Sequence, residues 1–286
     1  MVKRFPSRLS APVRACTLLT CLAALPAAAQ GAKASPQAAP AAQSDAVVQK
    51  VGHGEINWSK KVVTATGSGA AKLSGSVAAA RLGAERAAKL DALRNILETI
   101  QGIQVSGSRS ANDLMSNGEV KTRISGLAQG FSVQDTKYYS DGSVDVVVSM
   151  PIDEQLTRAL VDRPAGARKL STTGAASFSG LIVNARGLGL VPSMAPRVLD
   201  EAGREVYGLE VVTDAGLKQG GIAGYAKHEQ DVADRVGDKP LIVKAMRLAD
   251  KTKTDLVIAN AEADRLRDAK SNLSFLADGK VVILVD

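Results

Sequence analysis

The sequence predicts an α+β fold in two small domains, and three observations predict it. One long helical run, residues 76–101, sits between extended segments. Two alternating apolar runs flank Asp141-Gly142. The last third of the chain strings short strand-like runs together and closes on a strand–helix–strand unit. A break rich in Gly, Ala, Ser and Thr, "DRPAGARKLSTTGAAS" (162–177), separates the two sets and places the domains at 46–161 and 178–286.

The first 29 residues read as an export signal. "MVKRFPSRLSAPVR" carries Lys3, Arg4, Arg8 and Arg14 and no acid, "ACTLLTCLAAL" is a short apolar run, and Ala27-x-Ala29 sets cleavage after Ala29. The apolar run is too short to span a bilayer. The expected location is therefore periplasmic or secreted. Outer-membrane anchoring is the alternative if Cys21 is lipidated: Leu18 is placed as in a lipoprotein signal, but Thr20 stands where a smaller residue is expected. Residues 30–45, rich in Ala, Pro and Gln, have too little apolar surface to fold and read as a linker.

Losing the signal changes the charge. Its four cations leave with it, so the formal charge falls from +7 to +3, which does not call for nucleic acid. Aromatic residues make up 3% of the chain, too few for a base-stacking surface. Both cysteines, Cys16 and Cys21, lie in the signal, so the mature chain has no disulfide, thiolate nucleophile or cysteine metal ligand.

In the first domain "EINWSKKVVTATGSG" reads as a strand ending in a Gly67/Gly69 turn. The helix that follows is alanine-rich in its first half and places Leu90, Leu93, Ile96, Leu97 and Ile100 on one broad face in its second. Glu85–Lys89 is an i,i+4 pair. Arg86 and Lys89 lie toward the leucines, where they either snorkel or meet an acidic partner. Gly102 ends the helix, "GIQVSGS" reads as a strand, Asp141-Gly142 turns a hairpin, and "DEQLTRALV" is a short closing helix. In the second domain "GLIVNARG" is a strand and "PRVLDEAGREVYG" a hairpin. "KPLIVKAMRLADKTKTDLVIAN" holds two strands, "AEADRLRDAK" is a helix capped by Asn260, and "GKVVILVD" is the terminal strand, reached by a connection long enough for a parallel crossover.

No catalytic constellation appears. Gly67-x-Gly69 has Lys72 where a dinucleotide fingerprint needs a third glycine, and no Gly-Lys-Ser or Gly-Lys-Thr phosphate loop is present. The glycines read instead as a bend or a close backbone approach. His53 and His228 stand apart from other ligand types, and no Gly-x-Ser-x-Gly occurs. Asp153-Glu154 and Asp200-Glu201 are explained by a helix start and a turn. No cofactor and no metal are expected.

"TATGSGAA" followed by "AAARLGAERAAKLDALRNILETIQGIQVSG" resembles the Lpp-twenty lipoprotein family of the bacterial envelope over residues 60–155, about a third of the chain. The matching positions include Gly67, Gly69, Ala84, Ala88, Asp91, Ala92, Leu97, Ile100 and Gly102. The resemblance implies a dodecin-like domain, a helix across an antiparallel sheet, and a non-enzymatic envelope role that includes flagellar outer-ring assembly. The leading expectation is a structural or assembly protein that docks on itself or on other envelope proteins, with Arg86 and Lys89 as partner contacts. Two alternatives stay open. A binding module for a small ligand or envelope polymer would show a pocket with convergent polar groups, and an exported hydrolase would show paired carboxylates or a His–acid pair in a cleft.

Overall fold

Inward-facing side chains shrink along the first long strand. A computed structural model describes residues 45–72, 76–161, 170–171, 173–174, 178–249, 251–268 and 272–286. The signal, Ala29, Cys21 and most of both linkers lie outside these residues. The first lobe begins with β1 (Val48–Val51), β2 (Gly54–Asn57) and β3 (Val62–Gly69), followed by helix α1 (Val77–Gln101). Next come the short pair β4 (Gln104–Ser106) and β5 (Arg109–Ser110), helices α2 (Ala111–Met115) and α3 (Gly118–Ala128), the hairpin β6 (Ser132–Tyr138) and β7 (Val144–Pro151), and α4 (Glu154–Leu160). The five-stranded antiparallel sheet runs β1-β2-β3-β7-β6, with α1 lying across β3 and β7.

The taper explains that packing. Val63, Ala65, Gly67 and Gly69 point inward from β3, paired with Met150, Val148, Val146 and Val144 of β7. Facing them, α1 buries Ile100 and Ile96 at one end and Ala92, Ala88 and Ala84 at the other. A Cβ on Gly67 would fall 2.1 Å from the Ala92 nitrogen, and one on Gly69 would fall 2.0 Å from the Ala84 carbonyl. Helix and strand backbones therefore touch, which only glycine against alanine allows. Gly67 and Gly69 are strand residues, not a turn. The helix also satisfies the part of β3 that outruns β2: Asn95 donates to the Thr66 carbonyl at 2.8 Å, and Asp91 accepts from the Ser68 N–H at 3.1 Å.

The extended reading of "EINWSKKVVTATGSG" is corrected. The segment breaks into a hairpin, because the Asn57 side chain takes the Lys60 N–H at 2.8 Å and Lys61 enters the left-handed region at φ 54°. Gly102 ends α1 with φ −76°; its lack of a side chain serves Val51, whose Cγ1 would lie 2.2 Å from a Cβ there. Asp141 accepts from the Ser143 N–H and Gly142 takes φ 85°, so the predicted turn is present. Leu90 is not part of the buried face: it is 67% exposed.

The second lobe contains β8 (Gly180–Asn184), β9 (Val198–Leu199), β10 (Glu205–Tyr207), α5 (Asp214–Gly220), β11 (Gly224–Ala226) and α6 (Ala233–Val236). Then follow β12 (Pro240–Leu248), β13 (Leu256–Ile258), α7 (Asn260–Arg265), α8 (Ser274–Ala277) and β14 (Val281–Leu284). Its mixed sheet runs β10-β9-β13-β12-β8-β14-β11. The α+β class holds, with a helix on an antiparallel sheet and a second, mixed sheet. Two details differ from expectation. β14 pairs in parallel with β8 and β11 rather than with β13, from which β12 and β8 separate it. Asn260 is the first residue of α7 rather than its cap, because its side chain is turned to the Glu201 N–H.

The lobes share one buried apolar cluster. Backbone bonds join them where Met194 and Ala195 donate to the Gln104 and Val105 carbonyls at 3.0 and 2.8 Å. Trp58 meets Tyr225 edge to face, with ring centroids 5.6 Å apart.

Candidate functional site

Beside the Trp58–Tyr225 contact, a cleft of about 570 Å³ opens between the lobes. The first lobe contributes the turn residues Ser59, Lys60 and Lys61, and the second contributes Tyr225, the end of α5, α6 and the Asp278–Lys280 loop. Lys61 and Tyr225 also wall a smaller inner cavity of about 20 Å³, which Trp58, Thr157 and Ser193 share.

Lys61 has unusual surroundings. A lysine in the left-handed region is strained where glycine or asparagine would rest, by about 1–3 kcal/mol. Its stem crosses to the second lobe, placing Nζ 3.0 Å from where a Gly221 Cβ would be. Among the described residues no carboxylate lies within 4.0 Å of this ammonium. Burial, with the Arg235 guanidinium beside it, pulls its pKa down to about 7.

Arg235 is held differently. Its Nε donates to Val281 O at 2.9 Å, Nη1 to Gly220 O at 2.7 Å, and Nη2 to Gly221 O at 3.1 Å and Gly279 O at 2.6 Å. Carbonyl dipoles thus satisfy most of its donors without cancelling its charge. Gly220 has no room for a side chain, because a Cβ would lie 2.6 Å from Nη1. Arg235 shapes the cleft wall and adds a fixed positive charge.

Tyr225 and Ser193 form the inner wall. The Tyr225 hydroxyl accepts from Ser193 N–H and donates to Ser193 O, both at 2.9 Å. Burial pushes the Tyr225 phenol up to about 12, so it stays neutral. Ser193 is 1% exposed, and its Oγ has no hydrogen-bond partner among the described residues. A buried hydroxyl in that state costs about 1–3 kcal/mol. Acids also line the outer cleft: Asp45, Asp231, Asp234 and Asp278, of which Asp45 lies 3.6 Å from His228 and Asp278 lies 3.9 Å from Lys280.

The residues singled out in the sequence lie elsewhere. Lys89 is bound to Glu85 at 2.7 Å, and Glu85 also accepts from Tyr138. Arg86 sits on the exposed side of α1 in line with Leu82 and Leu90. Asp153 caps α4 and Glu154 pairs with Arg158 at 2.7 Å. Asp200 is buried: desolvation opposes its charge, but Arg267 and Arg204 outweigh that and hold it at about 2. Glu201 binds the Asn260 N–H. His53 is on the surface, 4.0 Å from Glu98. Among the described residues no cluster of His, Cys, Asp or Glu could hold a metal, and no helix is long and apolar enough to cross a membrane. Sequence reasoning missed Lys61. The one signal was "NWSK", an Asn positioned to fold its side chain over a turn, hidden by the absence of Gly or Pro.

A family model for the second domain of Treponema pallidum Tp0624 matches residues 180–286, beginning at the first residue of β8. This match is not an Lpp-twenty model, and the Lpp-twenty resemblance of residues 60–155 is withdrawn. No curated protein matches the chain.

Proposed function

We propose that the protein is an exported, non-enzymatic binding module of the cell envelope that holds a small ligand in the cleft between its lobes. The observation that carries this reading is the cleft itself, whose volume is within the range of small-molecule sites. Its walls come from both lobes, and Lys61 reaches from one to the other. Four aspartates line the cleft, but the Asp45–His228 pair at its rim is exposed on both side chains, and the Ser59 hydroxyl donates to Tyr225 O and accepts from Val47 N–H, which supports binding over turnover. Ala84, Ala88 and Ala92 of the alanine-rich helix α1 are covered by the protein's own sheet.

The single tryptophan, Trp58, walls the inner cavity and reports on the site. A thermal-shift and fluorescence screen of the purified mature chain against small organic anions, cations, sugars and short peptides should find one class that raises Tm saturably and perturbs Trp58. A chain that responds to none of them is not a small-ligand binder of this kind.

A further inference from the structure

The inner end of the cleft is built from donors. Lys61 Nζ has three N–H bonds and no carboxylate near it among the described residues. The Ser193 hydroxyl is buried without a partner among the described residues, although the Ser193 backbone is fixed on both sides by Tyr225. Both residues line the same cavity of about 20 Å³, room for about one oxygen atom. Arg235 supplies a second, half-buried positive charge that no carboxylate within 4.0 Å cancels among the described residues. The acids of the cleft are set outside this end, at Asp45, Asp231, Asp234 and Asp278.

Resting on the binding reading above, we infer that the ligand presents an oxyanion, a carboxylate or a phosphate group. Its innermost oxygen is received by the Lys61 ammonium and the Ser193 hydroxyl, with Arg235 stabilising the charge from behind. An oxyanion accepts from both donors at once and supplies the counter-charge that two neighbouring half-buried cations lack. A cationic or purely apolar ligand would leave both donors unmade and add to the repulsion.

The test uses the mature chain with two probes, inorganic phosphate and acetate, against chloride at matched ionic strength. One or both probes should raise Tm saturably and shift Trp58 emission, and the comparison between them identifies which oxyanion the cavity accepts. Lys61→Met should weaken the effective probe by about tenfold or more, and Lys61→Arg should keep most of the binding. Ser193→Ala should weaken it by about threefold while the free protein is at least as stable as the parent, since the lost hydroxyl has no partner among the described residues. Probe binding that survives unchanged in Lys61→Met overturns the inference. So does a chain that ignores both anions but binds another class from the screen; that result leaves the binding reading standing. If no class binds, both fall.

Discussion

At the scale of single residues, Lys61 links the cleft to pH. Its ordinary pKa is near 10.5 and its folded value is about 7, because it is buried next to Arg235. Lys60, Lys280 and the acids Asp45, Asp231, Asp234 and Asp278 share the cleft with it. Between these two values the unfolded chain holds a proton that the folded chain has released. Stability therefore rises with pH across about 7 to 10.5, and below about 7 the folded state carries the full cost of the buried charge. Urea melts across that window should show the rise, and Lys61→Met should flatten it and be the more stable protein below about 7. Equal pH slopes in the two proteins would mean the ammonium is solvated. Anion affinity should follow the opposite course, falling as Lys61 loses its proton.

At the scale of elements, the contact between α1 and β3 rests on two glycines. Gly67→Ala places a methyl 2.1 Å from helix backbone, not from a movable side chain, and should cost about 3 kcal/mol or more by denaturant midpoint. Gly83, exposed in the same helix with no atom within 4 Å of a Cβ, provides the contrast. Gly83→Ala should stabilise by about 0.5–1 kcal/mol. A Gly67→Ala protein as stable as the parent would show that α1 can ride further from the sheet. The edge strand β6 is guarded as well: Asp135 takes the Thr136 N–H at 2.8 Å, and the pairing with β7 slips next to it.

At the scale of the whole molecule, the shared core and the seam bonds tie the lobes into one cooperative unit. Loss of Trp58 fluorescence and loss of far-UV ellipticity should coincide on heating, because Trp58 lies on the seam. Two separated transitions would mean the lobes unfold independently and the cleft opens before either. Light scattering over a concentration series measures self-association: a monomer is the expected mass if the cleft is the working surface, and a defined oligomer would return weight to assembly.

The sequence by itself determined the local structure. The helix 77–101, the Asp141-Gly142 hairpin, the β9–β10 hairpin and the terminal strand all follow from periodicity and turn chemistry within a few residues of each other. Short-range structure left some marks too weak to read, such as the Asn57 turn and helices α2 and α3. Tertiary structure alone decided what the glycines of β3 are for, since their neighbours Ala84, Ala88 and Ala92 come from a different element. It alone decided which strands flank β14. The candidate site was beyond sequence reasoning for the same reason. Lys61 and Ser193 are 132 positions apart, and each is unremarkable alone. They come together only because the two lobes close over a shared core, which removes solvent from the hydroxyl and part of it from the ammonium and supplies no side-chain acceptor for either among the described residues.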